Sequence, residues 1–218
     1  MDNEKATLTS LVVDASTSPV QVGIPALNSW KALHQVESQA LEGLFSATGK
    51  VLEISGYKIS NINCVYFCEG PGSTLGLRLA AAFVRTIRWS QKSSDFKVFS
   101  YNALDLASIL APQKNAIIQA PFRVGLRFVR ISNIESKNSE KKIIPEDEAL
   151  REYPNSYHLP DPRKRSKPVD PEKTLVYDLS LIEGLNHLKI ISKPCTDILP
   201  YNPKAPKFKK WTPRNFTA

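Results

Sequence analysis

The chain has 218 residues and a mass of 24.3 kDa, one large domain or two small ones, long enough to bury a core. Its 42% hydrophobic, 23% charged and 9% aromatic residues exclude collagen-like, coiled-coil and wholly disordered classes. No apolar run approaches the roughly 18–20 residues that span a bilayer. The net charge is +8, weighted toward the second half, and from Lys204 onward there are Lys204, Lys207, Lys209, Lys210 and Arg214 with no acid.

Residues 8–14 and 20–24 are predicted as buried strands, joined through the small turn residues 15–19 into a β-hairpin. Leu33, Val36, Ala40, Leu41, Leu44 and Phe45 fall on one face at helical spacing, which predicts a helix over about 33–48 with Gly49 closing it. Residues 54–63 connect, with room for a short helix, to a buried strand over 63–68. A Gly/Pro loop, Glu69-Gly70-Pro71-Gly72-Ser73, then opens an Ala- and Leu-rich helix over 73–90, with Ser73 or Thr74 as N-cap and a basic stripe of Arg78, Arg85 and Arg88.

A strand over 96–99 and a helix over 102–110 capped by Asn102 follow, then strands over 116–119 and 124–131. Residues 132–172 are polar and proline-rich, and are predicted as loop or insertion with a brief helix near 145–152. Short strands are predicted at 174–177 and 189–192, with a short helix starting near Asp178. Eight of nine glycines precede residue 126, and eleven of sixteen prolines follow residue 144. The division this suggests is a first lobe over 1–111, a reduced, loop-rich second lobe over 112–200, and a basic proline-rich tail over 201–218.

The glycine loop sits where a helix N-terminus exposes backbone N–H groups, a setting suited to an anion. It is neither a Walker A loop nor G-x-G-x-x-G, because Gly70, Gly72 and Gly76 are spaced otherwise. The other reading is a tight strand-to-helix turn, with Gly72 at positive φ and Gly76 allowing close packing. Asp14, with Ser16 and Thr17 after it, is suited to a hydrated cation or a phosphate, or to an Asx turn that satisfies its own backbone. Cys64, Cys68 and Cys195 form no disulfide framework, and the N-terminal stretch has no apolar signal segment; both point to a reducing cytoplasm. Cys64 and Cys68 share a strand face as buried thiols. His34, His158 and His187 have no ligand-spaced partner, and there is no G-x-S-x-G elbow, Cys–His pair or acid/base pair. No catalytic residue, metal ligand or cofactor is expected.

Two segments act together: Leu11-Val12-Val13-Asp14-Ala15-Ser16-Thr17 and Gly70-Pro71-Gly72-Ser73-Thr74-Leu75-Gly76-Leu77-Arg78 running into an Ala-rich helix. They resemble the TsaB (YeaZ-like) family, glycoprotease-like proteins of the actin/Hsp70/sugar-kinase (ASKHA) fold. That family opens with a strand ending Asp-Thr-Ser-Thr and carries Gly-Pro-Gly-Ser-Phe-Thr-Gly-Leu-Arg. Ser100-Tyr101-Asn102-Ala103-Leu104 is similar to the family's Val-Ser-Thr-Leu, and the likeness covers about residues 8–110. Where the family has Asp-Ala-Arg at the start of its second lobe, this chain has Gln119-Ala120-Pro121-Phe122-Arg123.

The resemblance implies an α/β, two-lobed actin-like (ribonuclease-H-like) ASKHA fold with a reduced second lobe. It further implies a non-catalytic scaffold in the tRNA threonylcarbamoyladenosine (t6A) synthase complex. The partners would be a TsaD-like catalytic subunit and a TsaE-like ATPase, with tRNA met through the complex and no membrane. The interface is expected on the first-lobe helices, at Leu41, Leu44, Phe45, Leu75, Arg78, Leu79, Ala82, Phe83 and Arg85, with a homodimer in isolation using the same surface. Two rivals stand beside it. One is a nucleotide-binding phosphotransferase of the same fold, using Asp14 and the loop Gly70, Pro71, Gly72, Ser73. The other is a tRNA-binding module acting through the basic tail, separated from the first by the salt slope of tRNA binding with and without residues 204–218.

Overall fold

A computed structural model of the chain describes residues 8–91, 95–132, 139–161 and 166–201. The basic tail from Lys204 onward lies outside these described residues. β1 (Ser10–Asp14) is buried along its whole length and sits inside a six-stranded mixed sheet. It pairs antiparallel with β2 (Val20–Pro25), as the hairpin pattern predicts, and parallel with β4 (Cys64–Gly70). β3 (Trp30–Val36) forms one edge beyond β2. β5 (Lys97–Asn102) lies beyond β4, and β10 (Ser192–Pro194) forms the other edge. The central strands have cover on both faces, so they read in sequence as continuous apolar runs.

The helix predicted over 33–48 is two elements. Leu33 and Val36 belong to β3, which pairs with β2 from Val20↔Val36 to Pro25↔Trp30, and α1 (Ala40–Ser55) begins only after Glu37-Ser38-Gln39. Apolar residues at the end of a strand and the start of a helix happened to keep a 3.6-residue spacing, and sheet pairing overrides it. Gly49 lies inside α1, which closes instead at Gly56 in the left-handed conformation (φ 73°) with its N–H on the Glu53 carbonyl. α2 (Thr74–Ser90) is capped as expected: Ser73 Oγ accepts from Gly76 N at 3.3 Å. α3 (Ala103–Leu110) is capped by Asn102, whose side chain accepts from Leu104 N.

α1 and α2 cover one face of this sheet. Leu44, Ala47 and Val51 from α1 and Ala80, Val84 and Ile87 from α2 pack with Leu11, Val13, Val65 and Phe67. The opposite face, carrying Val12, Tyr66, Tyr101 and both buried thiols, Cys64 and Cys68, packs against α3 and the second half of the chain.

The second sheet orders β8 (Ser139–Pro145), β7 (Leu126–Ser132), β6 (Ile118–Pro121) and β9 (Tyr157–His158). β8 falls in the stretch predicted as loop. Its Ser-Glu-Lys-Lys-Ile-Ile pattern looks polar because it is a half-exposed edge, and seven register pairs to β7 hold it. α4 (Glu146–Glu152) is the brief helix foreseen there. Residues 174–177 form no strand; Thr174 makes one bridge to His158. The strand predicted at 189–192 is mostly helix: α5 (Gly184–Ile191) sets Gly184, Leu188 and Ile191 on one stripe against the core. The chain then returns to the first sheet as β10, antiparallel to β5, so the segment 112–200 does not stay within the second sheet.

Inside the second sheet, the buried Arg127 guanidinium meets Glu146 Oε1 at 2.9 Å and donates to His158 Nδ1 at 3.3 Å. It also donates to the Lys167 carbonyl, and Lys167 N returns to Glu146. Burial, reinforced by the Arg127 charge, pushes His158 down to about 4. The fold holds the ring neutral, so its contribution is complete above the ordinary imidazole value and drains away as the pH falls through the window from there to the folded value. The unfolding free energy from urea titrations should drop across that window by an amount on the order of 3 kcal/mol. His158→Gln, which keeps an acceptor for Arg127 but does not titrate, should flatten the slope.

Candidate functional site

Asp14 ends β1 with its side chain 1% exposed. Oδ1 accepts from Ser16 N at 2.8 Å and Ser16 Oγ at 2.6 Å, which is the Asx turn of the two sequence readings. Oδ2 accepts from Tyr101 OH at 2.7 Å and Tyr177 OH at 2.8 Å. Four donors therefore occupy the two oxygens, and two of them arrive from β5 and from a segment 163 residues away. Burial first, then the negative charge of Asp14, raises both phenols well above their ordinary value. The Cys68 thiol, 3.8 Å from Tyr177 OH, is raised for the same two reasons.

The glycine loop docks on the turn after Asp14. Ser73 N donates to the Ser16 carbonyl at 2.7 Å. A Cβ on Gly72 would lie 2.2 Å from that same carbonyl oxygen, and one on Gly76 would lie 2.0 Å from the Ala15 carbonyl oxygen. Gly76 thus serves close packing as expected. The positive φ assigned to Gly72 belongs to Gly70 instead (φ 117°), and Gly72 is needed for backbone approach.

Ser16, Thr17, Pro71, Gly72 and Ser73 line a cleft of about 570 Å³. Its far wall is Ala120-Pro121-Phe122-Arg123, with Leu159. Gln119, standing where the family has Asp, points elsewhere: it is buried, and its amide nitrogen donates to the Ala149 carbonyl and Ser156 Oγ. Away from the cleft, polar contacts tie the first half of the chain to the second. Asp105 on α3 pairs with Arg130 and Lys141 of β7 and β8, each at 2.7 Å. Gln21 on β2 donates to the Tyr177 carbonyl and accepts from Leu179 N.

The outer faces of α1 and α2 present the remaining candidates. Leu41 is 51% exposed, Phe45 62% and Leu75 62%; Arg78 and Ala82 are exposed, and Leu79, Phe83 and Arg85 are half-buried. Phe45 and Phe83 meet edge to face with ring centroids 5.5 Å apart, which joins the two helices into one ridge. Leu44 does not belong to it: at 1% exposed it is core, because it lies on the side of α1 turned to β2 and β3.

Three residues escaped the sequence reading. Tyr101 and Tyr177 seal Asp14, and nothing in their local sequence signals a partner so distant in the chain. Trp89, 78% exposed, extends the α2 ridge at i+7 from Ala82, a spacing the helical wheel carries. Among the described residues, no group of three or more His, Cys, Asp or Glu side chains is placed to hold a metal ion, and no helix is long and apolar enough to cross a membrane.

No protein-family model matches the sequence, and no curated protein matches it. Solved structures do. YeaZ from Pseudomonas aeruginosa superposes with a TM-score of 0.62 at 14% identity, over 89% of this chain and 99% of that one. An uncharacterized protein with similarity to peptidase YeaZ from Pseudomonas aeruginosa superposes with a TM-score of 0.57 at 16% identity, over 84% of this chain and 89% of that one. Two mixed sheets in this order, and coverage of almost all of YeaZ, establish that the chain has the two-lobed α/β fold of YeaZ, the ASKHA architecture.

Proposed function

We propose that this protein is a non-catalytic scaffold subunit of a cytoplasmic t6A synthase, docking a TsaD-type catalytic subunit through the outer faces of α1 and α2. The observation that carries the reading is the apolar ridge of Leu41, Phe45, Leu75 and Phe83. Patches of this kind on a folded domain mark interfaces. In this reading residues 1–111 supply the docking lobe, a TsaE-type ATPase joins the pair, and tRNA is met through the assembly. The phosphotransferase alternative needs Asp14 free for a cation, and its carboxylate already receives four hydrogen bonds.

The test is assembly. Sedimentation of the isolated protein at tens of micromolar, about the range of a weak interface, should give a dimer that the TsaD-type subunit displaces. Phe45→Glu and Leu75→Glu should abolish both assemblies without lowering the melting midpoint. A wild-type monomer that also ignores the catalytic subunit would overturn the reading. The isolated protein should show no transferase, kinase or peptidase turnover; turnover surviving repurification and lost in Asp14→Ala would contradict this.

A further inference from the structure

α2 carries Leu75, Ala82 and Trp89 along one line at i, i+7 and i+14. With 100° per residue, Leu79 and Phe83 fall on one flank of that line and Arg78 and Arg85 on the other. α1 lies on the Phe83 flank, where Phe45 meets Phe83. The Arg flank is turned away from it. α2 contains no acidic residue. Arg88 is engaged internally, donating to the Thr196 carbonyl at 3.2 Å. Arg78 and Arg85 have no hydrogen bond or ion pair among the described residues, so one flank of the Leu75–Ala82–Trp89 line carries two unpaired guanidinium groups, Arg85 one turn from the exposed tryptophan and Arg78 nearer Leu75.

We infer that the partner on this face carries carboxylates opposite Arg78 and Arg85 and an apolar socket for Trp89, and that it is a different chain, favoured over a second copy of this one. The inference rests on the docking role proposed above and adds the partner's chemistry. A second copy answers the charge poorly. A twofold contact brings Arg78 and Arg85 of both copies to the same seam. The acids that α1 offers in return are Glu42 and Glu53, and Glu53 is already held by Lys50 at 3.0 Å. Like charges across a seam cost affinity and opposite ones select the partner. Tryptophan and arginine are the residue types in which binding energy concentrates.

The experiment uses the full chain and the TsaD-type subunit of the same organism, with binding constants measured at low and high sodium chloride, about 50 mM and about 500 mM. The heterocomplex should weaken by about tenfold or more between them, while self-association holds or tightens. Arg78→Glu with Arg85→Glu should weaken the complex about 30-fold at low salt and flatten its salt dependence, and the double Gln variant should fall between. Trp89→Ala should cost about 30-fold at both salts. Arg78 and Trp89 are exposed and Arg85 is half-buried, and unchanged melting midpoints confirm folded variants. Binding that ignores salt and both double Arg variants overturns the inference and leaves the scaffold reading standing. A self-dimer tighter than the complex at low salt overturns the choice of partner. No binding to the catalytic subunit overturns the scaffold reading and this inference with it.

Discussion

Gly76→Val is expected to destabilise the protein by about 3 kcal/mol or more, a fall of roughly 6–12 °C in melting midpoint for a chain of this size. The new Cβ would stand 2.0 Å from the Ala15 carbonyl oxygen. That oxygen belongs to the backbone at the end of β1, so it cannot rotate away as a side chain would. Gly76 is also one turn into α2, held by its N–H to Ser73 Oγ, so the helix cannot shift without losing its cap. Gly72→Val meets the Ser16 carbonyl oxygen at 2.2 Å and should cost somewhat less, since the loop there is exposed and has more room to move. Gly49→Ala is the control. It lies inside α1 with open space around it, and alanine there should stabilise by about 0.5–1 kcal/mol through helix propensity. Thermal melts of the three variants suffice. A Gly76→Val protein that melts with the wild type would show that the loop does not lie on the β1 turn.

Elements whose signals are local were legible in the sequence. The run Leu11-Val12-Val13, the caps Ser73 and Asn102, and the apolar stripe of α2 each carry their own physics within a few residues, and each is where the pattern placed it. What failed depends on pairing at a distance. β3 is a strand because β2 lies beside it, and its own residues fit a helical wheel equally well. β8 is held by β7 despite a polar composition. The candidate site divides in the same way. The exposed faces of α1 and α2 follow from periodicity, and the error at Leu44 came from grouping it with Leu41 and Phe45 as one outward face: Leu44 lies about 60° round the helix from Leu41, on the side that meets the sheet. The state of Asp14 could not be read from residues 14–17 alone. Its turn was visible there; the two tyrosines that close it, at positions 101 and 177, were not.

Asp14→Ala is therefore expected to act on stability, costing about 3–5 kcal/mol in urea unfolding. The substitution leaves the Tyr101 and Tyr177 hydroxyls and Ser16 N buried with no acceptor, and each such group costs about 1–3 kcal/mol. It also unties Tyr177, and with it the segment that brings Gln21 its bonds to the Tyr177 carbonyl and Leu179 N. Asp14→Asn keeps one oxygen acceptor and should lose about half as much. Tyr101→Phe and Tyr177→Phe remove the donors one at a time. If receiving those hydroxyls is what Asp14 does, then adding Asp14→Ala to the double Phe variant costs much less than it does in the wild type, a coupling of about 1–3 kcal/mol. A cation-binding carboxylate behaves in the opposite way: its removal leaves the melting midpoint unchanged or raised, and magnesium with ATP stabilises the wild type but not Asp14→Ala. Additive losses across the cycle, together with magnesium-dependent stabilisation of the wild type, would move Asp14 from the frame of the protein to its chemistry and revive the phosphotransferase reading. Strong coupling with no response to magnesium ATP makes Asp14 the knot between β1, β5 and the returning C-terminal segment, and leaves the ridge of α1 and α2 as the working surface.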